Sequence, residues 1–159
     1  MIERMKLKTW GWVVGIVVVL GALFSYSRLF GGRAGGGIGS GVPCLVPNVP
    51  LMQHIHPVLT ITVNGMREVI PANIGLAECE RAVHTHDDDA AQGVIHVESQ
   101  DRRSYTLGDF FAVWGKPIAR EEYALTVTAD GANVTDPASL TFEDGQDIRM
   151  EYFEVAPSS

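Results

Sequence analysis

The sequence predicts an α+β protein: an N-terminal transmembrane helix followed by a small, mostly antiparallel β domain, β-grasp-like or a small barrel, with one short helix. Three observations predict it. An uncharged run from Thr9 to Ser27 is long enough to cross a bilayer, and stretches of alternating apolar and polar residues separated by turn residues follow it. One capped stretch with helical spacing, Thr106 to Trp114, interrupts them. At 159 residues the chain is too short for a large barrel, a two-domain dehydrogenase or a repeat array. Its 46% hydrophobic and 19% charged residues exclude wholesale disorder.

Residues 1–8, with Arg4, Lys6 and Lys8, read as a cytoplasmic N-terminus, and residues 9–30 as a transmembrane signal anchor. The nineteen residues from Thr9 to Ser27 would span roughly 28 Å as a helix, about the thickness of the hydrocarbon core. Trp10, Trp12 and Tyr26 suit the two interfaces. Only Arg28 and Arg33 follow closely, so the balance of basic residues puts the N-terminus inside. A cleaved signal peptide would need a site such as Gly32-Arg33-Ala34, well past the apolar core and with an Arg inside it, which favours an uncleaved anchor. The expected location is the cell membrane, single-pass, with the lipid bilayer as partner through residues 9–30 and the C-terminal domain extracytoplasmic.

Residues 31–42 form a linker: seven of the eleven residues 31–41 are Gly, which suits a flexible tether. It is not a phosphate loop, because no Gly-Lys-Ser/Thr is present and no strand feeds it. The domain that follows is residues 43–157. From residue 35 onward seven basic side chains stand against 18 acidic ones, which excludes nucleic acid and docking on anionic lipid. No feature of the sequence identifies a protein partner. Cys44 and Cys79 both fall on the outer side of the anchor, where a single disulfide is the simplest pairing; two free thiols or two metal ligands are the alternatives.

Within the domain, His56 to Val63, Asn64-Gly65 and Met66 to Ile70 make a hairpin, with Asn-Gly as its turn. Pro71-Ala72-Asn73-Ile74-Gly75 ends it. A second strand pair is expected at Ala82–His86 and Val94–Glu98, joined by the acidic loop Asp87–Gly93. The one helix carries a capping box of Thr106 with Asp109, an apolar face of Leu107, Phe110, Phe111 and Trp114, and the stops Gly115 and Pro117. Tyr123–Ala129, the Asp130-Gly131 turn, a short stretch to Val134 and a last strand Ile148–Val155 complete the chain.

All five histidines fall between positions 54 and 96. His54-Ile55-His56 and His84-Thr85-His86 are both His-x-His, and His96-Val97-Glu98 is His-x-Glu. On a strand, residues i and i+2 share a face, so each pair can present two ligands side by side. Neutral imidazoles with a carboxylate suit a divalent transition metal, copper or zinc. His84, His86 and His96 come first as ligands, because their strands are joined by a short loop; His54 and His56 come next. Asp87, Asp88 and Asp89 can complete the shell or orient the histidines. The competing reading is a polar His, Thr and Glu network with a solvated acidic loop and no metal.

Known hydrolase patterns do not fit. His84-Thr85-His86-Asp87-Asp88 superficially matches the metallo-β-lactamase His-x-His-x-Asp, but that site needs a larger four-layer fold, and Asp89 stands where a His is expected. Amidohydrolase barrels need over twice this length. The cupin spacing fails after His86, and no Gly-x-Ser-x-Gly is present. No catalytic residue and no organic cofactor are assigned. Asn133-Val134-Thr135 is a glycosylation sequon only formally.

The string HIHPVLTITVNG, VIPANIG, VHTHD, GVIHVES and YTLGDFFAVWG resembles a family of uncharacterised bacterial and archaeal membrane-anchored proteins, over Cys44 to Gly115. The resemblance implies His54, His56, His84, His86, Asp87, His96 and Glu98 as motif positions, together with Cys44 and Cys79. It implies no activity. The chain departs from the family in a short polar segment before Val83 and in a longer loop, Asp88 to Gln92, which sets Asp88 and Asp89 outside the pattern. The function expected is a membrane-tethered, extracytoplasmic metal-binding protein: a copper or zinc carrier, sensor or accessory factor. The alternatives are a small metal-dependent enzyme, with Glu98 or Asp87 as base, and an interaction module whose histidines respond to pH.

Overall fold

Two β-sheets and one α-helix make up the described part of the chain, residues 40–155 of a computed structural model. The strands are β1 (Gln53–Ile55), β2 (Val58–Val63), β3 (Met66–Glu68), β4 (Val83–His84), β5 (His96–Ser99), β6 (Tyr123–Ala129), β7 (Ala132–Asn133) and β8 (Asp147–Glu154); the helix is α1 (Leu107–Trp114). One sheet has the order β1-β5-β4 and the other β3-β2-β8-β6-β7.

The larger sheet is built from two hairpins and a strand inserted between them. β2 and β3 pair across Asn64-Gly65, where both turn residues have positive φ (49° and 78°), the geometry whose twist matches that of the strands. Asp130-Gly131 closes β6 onto β7 in the same way, with φ of 50° and 80°. β8 lies between, antiparallel to β6 and parallel to β2. Period-2 alternation sends Leu59 and Ile61 of β2 and Ile148, Met150 and Tyr152 of β8 into the core, all at 0% exposure. Helix α1 starts at the capping box of Thr106 and Asp109 and ends at Gly115. It contributes Leu107, Phe110 and Phe111 to the same core, each worth roughly 1.5–3 kcal/mol on burial.

This architecture corrects the expected fold class in two respects. The larger sheet is mixed, because β8 returns beside β2 in parallel over the register Val58↔Asp147 to Val63↔Tyr152, while its other ladders are antiparallel. Alternation along a strand reports which face is buried, and it is silent on the direction of the neighbour. The histidine strands form a sheet of their own, open at β1 and β4, so there is no closed barrel among the described residues. Among the described residues no helix is long and apolar enough to cross a membrane. The expected signal anchor at residues 9–30 lies outside the described residues, as do the N-terminus 1–8 and the linker up to residue 39.

The expected first strand, His56 to Val63, begins only at Val58, and a separate strand, β1, precedes it. Pro57 has no N–H to give to a ladder, and the chain leaves the small sheet there to enter the large one. The backbone on either side of this crossing is held from elsewhere. The His56 N–H donates to Asp144 Oδ1 (2.9 Å), and the Ile95 N–H donates to the Pro57 carbonyl (3.0 Å). Cys44 and Cys79 form a disulfide with their Cα atoms 5.8 Å apart. A β-bridge between Cys44 and Arg81 sews the segment before β1 to the backbone that leads into β4.

Candidate metal centre

The small sheet brings the histidines together. β5 lies in its centre, so His96 and Glu98, two residues apart, point to one face. His54 of β1 stands directly opposite Glu98, and His84 of β4 directly opposite His96. Directly opposed residues in an antiparallel pair share a face, so four donor side chains meet on one surface of three short strands. His56 and His86 join them from just beyond the ends of β1 and β4. The sequence pattern places each His-x-His within one strand; in the structure only its first member is in the ladder. The rings nevertheless stay together, with centroids 4.6 Å apart in both pairs.

His84 is the anchor, with 0% exposure. Its Nδ1 lies 2.7 Å from the Arg81 carbonyl, an acceptor, so Nδ1 carries the proton and Nε2 presents a lone pair. That Nε2 is 3.0 Å from Nε2 of His86. Two imidazole nitrogens bound at about 2.0–2.1 Å to one tetrahedral zinc lie about 3.3 Å apart, so the pair is almost at ligand separation. Burial holds the His84 pKa below its ordinary value of 6.5, aided by the neighbouring His86 and His96 and opposed by the bond to the Arg81 carbonyl and the charge of Glu98. The neutral ring is the form that binds metal.

His96 sits at the centre of the cluster. Its ring stacks on His84 (centroids 5.6 Å, planes 13° apart) and meets His86 and His56 edge-on at 4.5 and 4.7 Å. Its Nε2 is 2.9 Å from Asp89 Oδ2, and its Nδ1 is 3.9 Å from Glu98 Oε1. Glu98 Oε1 is also 3.2 Å from His54 Nε2. Two buried atoms here, His96 Nδ1 and Asp89 Oδ1, have no hydrogen-bond partner among the described residues. A buried polar atom without a partner costs on the order of 1–3 kcal/mol, and a cation is a partner that both atoms can accept.

The acidic loop divides its roles. Asp87 Oδ1 accepts a bond from Asn73 Nδ2 (2.7 Å), and Asp87 is not among the donors that cluster with the histidines. Asp88 is exposed. Asp89 is brought to His96 by a tight fold-back. A short 3-10 turn, Ala90–Gln92, ends at Gly93, whose φ is 96° and whose carbonyl accepts from the Leu59 N–H at 2.8 Å. A Cβ on Gly93 would collide with the Leu59 carbonyl oxygen, so only glycine lets the loop lie against β2. Two further carboxylates had no signal in the sequence pattern: Glu80 Oε1 lies 4.0 Å from His84 Nε2, and Asp144 Oδ1 lies 3.9 Å from His56 Nδ1.

Two groups of side chains among the described residues could therefore hold a metal ion. One is His84, His86, His96 and Glu98; the other is His54, His56 and His96. In each group, one ligand atom per residue lies within 4.8 Å of the rest. No family model matches the chain, and no curated protein or solved structure matches it.

Proposed function

We propose that this domain is a copper- or zinc-binding protein that works outside the cytoplasm, as a carrier, sensor or accessory factor. The observation that carries the proposal is the aim of His84: its Nδ1 is tied to a backbone carbonyl, and its Nε2 lone pair meets His86 while its ring lies flat against His96. Backbone-oriented imidazoles are the usual way in which metal ligands are held in one tautomer. Imidazole with carboxylate suits the borderline metals copper and zinc better than calcium or magnesium, which favour oxygen. The Cys44–Cys79 disulfide supports an oxidising compartment. The uncharged run from Thr9 to Ser27 supports placing the protein at the cell membrane, with this domain on the outer side. The resemblance of its motifs to those of bacterial and archaeal membrane-anchored proteins supports the same reading.

The test is the metal content of the full chain, purified without a histidine tag and measured by mass spectrometry before and after the exchange His86→Ala/His96→Ala. Copper or zinc at about one equivalent or more, lost in the double variant, is expected. Less than about a tenth of an equivalent after reconstitution would overturn the proposal and leave a histidine cluster with another role.

A further inference from the structure

We infer that the cluster is a two-ion centre in which His96 is a ligand to both ions; this rests on the metal-binding reading above. The donors already fall into two groups, and His96 is the one residue common to both. Five imidazoles and a carboxylate exceed the four ligands that a tetrahedral ion takes, so a single ion would leave the outer pair, His54 and His56, without a cation. The two ring nitrogens of His96 face different neighbours. Nε2 points to Asp89, whose loop leads directly from His86, and the buried, unpartnered Nδ1 points to the Glu98 oxygen that also touches His54. One ion would use His84, His86 and Nε2 of His96; the other would use His54, His56 and Nδ1 of His96, with Glu98 between them.

Charge supports the same count. Two divalent ions bring four positive charges to a partly buried site, which is costly unless they are compensated. Four carboxylates are in place: Asp89 and Glu80 beside the first group, Asp144 beside the second, and Glu98 at the junction. Binding a cation at each nitrogen of His96 converts the ring to an imidazolate. The N–H bond breaks, a nitrogen–metal bond forms with the same electron pair, and the proton leaves to solvent. No oxidant or reductant takes part.

The experiment loads the full chain, stripped with a chelator, with Cu(II) or Zn(II) alone in the presence of a weak competing chelator. It then reads bound metal by mass spectrometry and, for Cu(II), the spin count by electron paramagnetic resonance. Wild-type protein is expected to hold about two equivalents, with a Cu(II) spin count well below its copper content because a shared imidazolate couples the two spins. The variant His54→Ala/His56→Ala should hold about one equivalent at full spin count. Its residues are 50% and 41% exposed at the side chain, so the fold is retained, as circular dichroism would verify. One equivalent in wild type and no change in the variant would overturn the two-ion centre while leaving metal binding intact. Two equivalents at full spin count would overturn the sharing of His96. No bound metal would overturn the proposed function itself.

Discussion

Nε2 of His84 and Nε2 of His86 stand 3.0 Å apart, although only His84 belongs to a strand. The contact is set from behind, by the bond between His84 Nδ1 and the Arg81 carbonyl and by the full burial of the His84 ring. The two residues thus carry different burdens. His84 is a core residue as well as a candidate ligand, whereas His86 lies at the rim.

Alanine at these two positions should therefore separate stability from binding. His84→Ala opens a cavity in the core and leaves the Arg81 carbonyl unpaired, with an expected cost of about 2–4 kcal/mol. His86→Ala should cost less than about 1 kcal/mol, since the residue is only half-buried. Both should lose metal. Denaturant unfolding of chelator-treated protein, alongside metal content, measures the difference. Equal destabilisation by the two variants would contradict the geometry.

Acid should weaken the metal-stripped domain through His84. Burial lowers the folded-state pKa below 6.5, so between the two values the unfolded chain binds a proton that the folded one does not. Stability then rises with pH across that window and declines as the pH falls below about 6.5 toward the folded-state value. His84→Asn keeps a donor for the Arg81 carbonyl and cannot titrate. The unfolding midpoint of wild type should fall between pH 7.5 and 5.5 by more than that of His84→Asn, and the reverse order would refute the assignment.

The disulfide should matter to both fold and site. Cys44 and Cys79 are 35 residues apart in sequence, and closing a loop of that length is worth about 3–4 kcal/mol in the chain-entropy picture. Cys44 also bridges Arg81, whose carbonyl orients His84. Cys44→Ser/Cys79→Ser is expected to lose about that much stability and to bind metal more weakly, read by denaturant titration and chelator competition.

Gly93 offers a backbone test of how Asp89 reaches His96. Gly93→Ala combines an unfavourable φ of 96° with a collision against the Leu59 carbonyl, and should cost at least about 2 kcal/mol. Gly145→Ala, at φ 69° with open space around it, should cost about 1 kcal/mol. Similar unfolding midpoints for the two would show that the loop does not need its close approach to β2.

Much of this molecule was legible in local chemistry. Asn64-Gly65 announced its hairpin because only such residues accept two successive positive φ values, and Thr106 with Asp109 announced the start of α1 because each side chain reaches the other's backbone within one turn. The spacing of His54, His56, His84, His86, His96 and Glu98 singled out the donors, and two cysteines pointed to one another. These signals act over a few residues, so the chain states them outright.

Tertiary structure alone decided the rest. It put β8 between two hairpins, parallel to β2 and antiparallel to β6, separated β1 from β2 at Pro57, and laid β1 and β4 on either side of β5 so that His54 faces Glu98 and His84 faces His96. It also turned Asp87 to Asn73 and brought Asp89, Glu80 and Asp144 to the histidines. A strand's own residues determine which face is buried, whereas its neighbours are chosen by the packing of the whole core. The sequence alone determined the donor types and their pairwise spacing; the order of three short strands decided that they converge.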